Sequence, residues 1–69
     1  MLKLEIIMRQ QNKTQTDVAN ASRINRVTIN RIVRGWERPS ADRAKAIADA
    51  LEWDADRAAE LFEEVTEVR

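Results

Sequence analysis

Apolar residues in this chain recur in five short stretches, four of them at the i, i+3, i+4 spacing of one helix face. A capping residue breaks each stretch from the next. Leu4, Ile7 and Met8 form the first stripe, in a helix over 2–11 that Asn12-Lys13 ends. Thr14 then reads as an N-cap, and Asp17 beyond it completes a variant of the capping box. They open a helix over 15–21, buried through Val18 and Ala19. Ser22-Arg23-Ile24 is a tight connection, and Asn25 caps a third helix over 26–34 whose inner face is Ile29, Ile32 and Val33. Gly35 stands where a helix C-cap takes a left-handed residue. After Trp36-Glu37-Arg38-Pro39, Ser40 caps a fourth helix striped by Ala44, Ile47, Ala48 and Leu51. Asp54 caps a fifth, striped by Ala58, Leu61, Phe62 and Val65. One Gly and one Pro are too few turn formers for a many-stranded sandwich or barrel. The pattern predicts an all-α fold: one compact domain of five helices over residues 1–69.

A domain this short has a small core. Below about 70–80 residues a single core rarely supplies more than about 3–5 kcal/mol. All five apolar faces must therefore converge, and dimerisation would add to the burial.

The side-chain inventory narrows the chemistry. The chain has no Cys and no His. A thiol nucleophile, a disulfide framework, a Cys/His zinc site and an imidazole base are all excluded. No nucleophile, base and oxyanion stabiliser can be assembled from what remains. The expectations are no enzyme activity, no metal, no cofactor and no small-molecule ligand. The longest apolar run, Ile6-Ile7-Met8, is far short of a membrane helix, and no secretory signal is visible. A cytoplasmic protein is expected.

Charge is balanced in total but divided along the chain. Residues 1–39 carry eight Lys and Arg against Glu5, Asp17 and Glu37. Residues 40–69 carry four Lys and Arg against nine acids. A near-neutral sum thus conceals a basic half, and such asymmetry points to a polyanionic partner. The acidic stretch from Asp54 to Glu67 reads as a solvated helix face directed away from that partner.

The third helix gives the partner a form. At about 100° per residue, Arg26, Val27, Asn30, Arg31 and Arg34 fan over about 140° opposite the inner stripe. This face holds three arginines, an amide and no acid, whereas an ordinary solvated face mixes Glu with Lys. Arg pairs in bidentate fashion with guanine, Asn with adenine, and Val27 can lie against a thymine methyl. Two helices joined by a short turn, the second bearing such a face, make a helix-turn-helix. Residues alone thus lead to a DNA-binding module.

These segments resemble the Cro and lambda-repressor-like helix-turn-helix proteins, the XRE-type regulators. The resemblance runs from about Leu4 to Phe62. It rests on Thr14-Gln15-Thr16-Asp17-Val18-Ala19, on Ile24 through Ile32, on Arg34-Gly35, on Arg38-Pro39-Ser40 and on Ala46 through Leu51. It implies a repressor-like fold with helices two and three as the motif. It implies that Arg26, Val27, Asn30 and Arg31 contact bases. Gln15 matches a glutamine that contacts phosphate and buttresses a base reader. Asn25, Arg34 and Arg38 match phosphate-contact positions, and Arg9 and Lys13 could flank the other backbone.

The sequence also departs from the family. Arg23 occupies the turn position usually given to Gly; a positive φ there costs on the order of 1 kcal/mol. Lys13 stands where an apolar residue is common. Some members pair an Arg in helix one with a Glu near the end of the recognition helix; Met8 and Val33 match those positions. Such a joint apolar replacement can be neutral or stabilising, and it predicts that Met8 touches Val33. Trp53 is expected in the core. Three roles are open for Trp36: packing over helix ends, approaching DNA, or meeting a second subunit. Val65 and Val68 are candidates for a dimer contact or for fraying ends.

The sequence therefore points to a sequence-specific regulator of transcription bound to duplex DNA. Its small size suggests a Cro-like phage or prophage regulator, or the excised DNA-binding domain of a larger repressor. One copy reads too few base pairs for useful specificity. A homodimer on a pseudo-palindromic operator is therefore expected, formed beforehand or only on DNA, with half-sites about one helical turn apart. The alternative is a protein-interaction module, an antitoxin or adaptor using the same helical fold.

Overall fold

A computed structural model describes residues 1–65 and shows four α-helices followed by a 3-10 helix. They are α1 (Lys3–Gln10), α2 (Gln15–Ser22), α3 (Arg26–Val33), α4 (Ala41–Ala50) and η1 (Ala55–Phe62). The expected caps form. Thr14 and Asp17 make a reciprocal capping box, with the Asp17 amide donating to Thr14 Oγ1 at 3.1 Å and the Thr14 amide to Asp17 Oδ2 at 2.9 Å. Asn25 Oδ1 accepts from the Val27 amide, Ser40 Oγ from the Arg43 amide and Asp54 Oδ1 from the Asp56 amide. Each satisfies an amide that a helix start leaves without a partner.

The stripes converge on one core. Leu4, Val18, Ile29, Ile32, Ile47, Leu51 and Leu61 are fully buried, drawn from all five helices. Ile24, Ala44, Trp53 and Phe62 pack against this cluster from its rim. Met8 and Val33 are both buried and line the same cleft beside the α1–α2 connection. They lie on one side of the domain, as the register requires. α2 packs on α3 and on α4, while η1 packs on α4 and α1.

Short connections demand abrupt reversals, and each uses one left-handed residue. Asn12 (φ 58°), Arg23 (φ 61°) and Glu52 (φ 56°) hold this conformation without being glycine; Gly35 (φ 80°) is the fourth. At Arg23 the reversed backbone donates its amide, and that of Ile24, to the Ala19 carbonyl. Lys13 and Gln11, on the α1–α2 connection, finish α4: Lys13 Nζ donates to the Ala50 carbonyl at 2.7 Å and Gln11 Nε2 to the Leu51 carbonyl at 2.8 Å. A helix end leaves such carbonyls without intrahelical partners, and its dipole favours a cation. This accounts for a lysine where the family often has an apolar residue.

The fifth helix differs from expectation. It is a 3-10 helix with Arg57 out of helical geometry (φ −110°, ψ 18°). Ala58 and Leu61 still share a buried face, because residues three apart eclipse in a 3-10 helix. Val65 leaves the helical stripe. The Lys3 amide donates to the Glu63 carbonyl and the Val65 amide to the Met1 carbonyl, and Leu2 and Glu64 form an isolated antiparallel bridge. These backbone bonds hold residues 63–65 extended against the start of α1. Val68 lies outside the described residues. Trp53 sits half-buried beside η1, with Lys3 Nζ 5.2 Å and the Arg57 guanidinium 5.3 Å from its ring centre.

Arg23→Gly removes a steric cost of about 1–2 kcal/mol at this left-handed residue, against about 0.5–1 kcal/mol of added chain entropy in the unfolded state. The net expectation is a gain of up to about 1.5 kcal/mol, which thermal unfolding would show as a midpoint higher by several degrees. A lower midpoint would mean that the Arg23 side chain contributes more than its backbone costs.

Candidate nucleic-acid interface

The turn at Arg23 and the cap at Asn25 together aim α3. With Ile29 and Ile32 fully buried and Val33 nearly so, the helix can turn only one face outward. That face is the one computed from the sequence. Arg26, Arg31 and Arg34 are exposed, Asn30 is half-buried, and Val27 is 57% exposed. Val27 is thus an aliphatic side chain left to solvent in the middle of a basic face.

α2 contributes to this face from its first turn. Asn30 Nδ2 donates to Gln15 Oε1 at 3.0 Å, which joins the two helices of the motif through their side chains. Thr14 at the cap of α2, Gln15 and Thr16 in its first turn, and Arg26, Val27 and Asn30 of α3 line one open cleft of about 450 Å³. Gln15, expected to buttress a base reader, thus meets Asn30.

Arg34 and Arg31 are held by partners that sequence reading missed. Arg34 Nε donates to Asn30 Oδ1 at 3.2 Å, and its guanidinium lies 5.1 Å from the ring centre of Trp36. Trp36 is itself 72% exposed. Arg31 Nη1 is 3.9 Å from Glu37 Oε1, and Arg43 of α4 is 3.7 Å from the other oxygen of the same carboxylate. Glu37 is the only acid between Asp17 and Asp42, which is the signal that could have singled it out.

The flanking residues fall around this centre. Arg9 is exposed and pairs with Glu5 one helical turn back at 2.7 Å. Arg9, Lys13, Gln15 and Arg34 line a common cleft with Met8 and Val33, although the Lys13 ammonium is bound to the Ala50 carbonyl. Asn25 is exposed and commits its side-chain oxygen to the cap. Arg38 is exposed in the loop after α3, beside Pro39 and Phe62. The structure gathers Gln15, Arg26, Val27, Asn30, Arg31 and Arg34 closely; Arg9, Lys13 and Arg38 lie at the periphery.

A family model described as helix-turn-helix matches residues 4–56. The chain belongs to the helix-turn-helix family, of the XRE type. The match takes in α1 to α4 and the start of η1, and so both helices of the motif. No curated protein and no solved structure matches this helix-turn-helix protein. The family is one of DNA-binding regulators, which agrees with the face built from α2 and α3. Among the described residues, no helix is long and apolar enough to cross a membrane.

The start of α2 is sensitive to acid. The backbone and side-chain hydrogen bonds of Thr14 hold the Asp17 carboxyl below its ordinary range. Hydrogen bonding from Arg57 does the same for Glu60 on η1. A lowered carboxyl binds protons less readily in the folded state than in the unfolded one. Its contribution is complete above the ordinary carboxylate range, near pH 4, and is lost as pH falls through the lower folded value. Asp17→Asn should therefore flatten the acid side of a stability profile and leave stability nearly constant between pH 6 and 8, at whatever level the lost cap sets. An unchanged slope below about pH 4 would show that the capping box does not sense protonation.

Proposed function

We propose that this protein is a Cro- or repressor-like, cytoplasmic regulator of transcription that binds duplex DNA sequence-specifically with α3 in the major groove. The observation that carries this reading is the acid-free outer face of α3, buttressed by Gln15 from α2. Arg26 and Arg31 read guanines, Asn30 reads an adenine, and Val27 lies against a thymine methyl. Asn25, Gln15, Arg34 and Arg38 hold the phosphates. Arg9 and Lys13 flank the other backbone, each giving up its internal partner, Glu5 or the Ala50 carbonyl, to do so. Phosphate contacts fix register while base contacts choose sequence. The regulator acts sterically, by occupying its operator.

One α3 spans only a few base pairs. The working form is a homodimer on a pseudo-palindrome, with its two recognition helices entering successive major grooves about 34 Å apart. Pairing on DNA brings the acidic half of each copy clear of the phosphates while the basic half faces them.

Selection from a randomised duplex pool at two salt concentrations tests this reading. A recovered pseudo-palindrome whose binding falls steeply with salt supports it. Salt-dependent binding without an enriched sequence overturns the specific part, and no binding at low salt turns the search to a protein partner. On the recovered site, Arg31→Ala should cost about 1–3 kcal/mol and relax preference at one or two base pairs. Equal loss on every sequence would make Arg31 a phosphate contact. Arg38→Ala should weaken all sequences alike and lower the salt slope by about one. Val27→Ala should matter only at a thymine, and replacing that thymine by uracil should reproduce the loss.

A further inference from the structure

Trp36 is the most exposed large apolar side chain among the described residues, and neither the core nor the proposed contact set uses it. Its ring is nevertheless engaged: the Arg34 guanidinium lies 5.1 Å from its centre, and the same Arg34 donates from Nε to Asn30 Oδ1 at 3.2 Å. Asn30 in turn donates from Nδ2 to Gln15 Oε1 at 3.0 Å. Four side chains from α2, α3 and the following loop thus form one continuous chain of contacts across the interface.

The hydrogen-bond inventory shows what this chain fixes. A carboxamide has two N–H donors and two acceptor sites on its oxygen. Asn30 spends one donor on Gln15 and one acceptor site on Arg34. One donor and one acceptor remain, the complement of adenine N7 and N6–H2 in the major groove. The Gln15 bond alone cannot set which end of the amide is which. If Gln15 and Asn30 both flip, their mutual hydrogen bond survives with donor and acceptor exchanged. Arg34 breaks that symmetry, because a guanidinium only donates. A flipped Asn30 would turn its NH2 toward the Arg34 N–H, donor against donor. Stacking on an aromatic face limits where the guanidinium can go, so the Trp36 ring keeps Arg34 at its post.

We infer that Trp36 is a positioning residue for base selection: through Arg34 it locks the polarity of the Asn30 amide, so that Asn30 selects adenine although Trp36 itself touches no base. This rests on the proposed reading of Asn30 as a base contact.

The test has a half that needs no DNA. In 15N-labelled protein, Trp36→Ala should move the Asn30 side-chain amide and Arg34 Nε resonances toward exposed values, while Trp36→Phe leaves them near their original positions. Trp36 is largely in solvent, so the alanine variant should unfold at an unchanged midpoint. The second half uses duplexes of the selected operator that differ only at the base pair whose preference Asn30→Ala abolishes. Trp36→Ala should reduce the preference for adenine there by about fivefold, the low end of what one bidentate pair contributes. Trp36→Phe should retain it. In the Asn30→Ala background, Trp36→Ala should change nothing at that position.

Uniform weakening on every sequence with the preference for adenine intact would mean that Trp36 acts on backbone contacts, its own or those of Arg34, and it would overturn the inference. So would unmoved Asn30 and Arg34 resonances, or the same loss in the Asn30→Ala background. Failure of the wider reading looks different: the resonances respond as expected, and no duplex is selected.

Discussion

Everything α3 presents to a partner depends on the left-handed reversal at Arg23. The residue adopts φ 61°, ψ 31°, and its amide and the next both return to the Ala19 carbonyl. That closes α2 and starts α3 within three residues, so the two helices meet at an angle rather than running on. Ile29 and Ile32 then enter the core, and the opposite face has no choice but to look outward. The same device recurs at Asn12, Gly35 and Glu52. In a chain with one glycine, three of these four reversals carry a side chain and its steric cost. The fold accepts that cost because a short chain can bury all five stripes together only if its connections are short. Longer glycine-rich loops would relax the backbone and lengthen the path, without adding any apolar surface to the core.

The electrostatic layout follows from the same geometry. α3 and its C-cap turn three arginines to one side, and neighbours restrain two of them, Arg31 and Arg34. Glu37 lies between Arg31 and Arg43, Asn30 and Trp36 hold Arg34, and Glu5 holds Arg9. Exposed pairs of this kind contribute little to stability. Their effect is on orientation: a long side chain already confined loses less rotamer freedom when it meets a base or phosphate. Glu37 has a second consequence. A carboxylate beside Arg31 repels phosphate, so under the proposed reading it weakens non-specific attachment more than a specific contact that replaces the ion pair with a guanine.

Most of this architecture was legible in the sequence because it rests on local rules. Thr14, Asn25, Ser40 and Asp54 cap where they were expected to, and the stripes of α1 to α4 face the core. The outward set Arg26, Val27, Asn30, Arg31 and Arg34 needed only the helical period. What was not legible depends on contacts between distant segments. The departure of Val65 comes from backbone bonds of residues 63–65 to Met1 and Lys3, more than fifty residues away, and the 3-10 form of η1 has no signal in the apolar spacing. The bond from Lys13 to Ala50 joins two connections that no periodicity relates. Within the candidate site, the pairing of Gln15 with Asn30, and the stack of Arg34 on Trp36, depend on side-chain rotamers. Arg34 and Trp36 are only two positions apart, yet the intervening left-handed Gly35 is what folds one over the other.

Gly35 therefore joins the fold to the site more directly than its place at a helix end suggests. At φ 80° it lets the Trp36 amide return to the Arg31 carbonyl at 2.9 Å and the Glu37 amide reach the same oxygen at 3.3 Å. The loop curls back over the last turn of α3, which sets Trp36 beside Arg34 and Glu37 beside Arg31. A Cβ at this position would meet no heavy atom within 4 Å, so the requirement for glycine lies in the backbone conformation and not in crowding. Any residue content with a left-handed φ could fill the position, but a side chain that favours ordinary helical backbone would tend to extend α3. Extension by one residue would rotate the loop by about 100° around the helix axis and carry Trp36 and Glu37 away from the arginines they restrain. The end of α3 is thus as much a part of the proposed interface as its outward face.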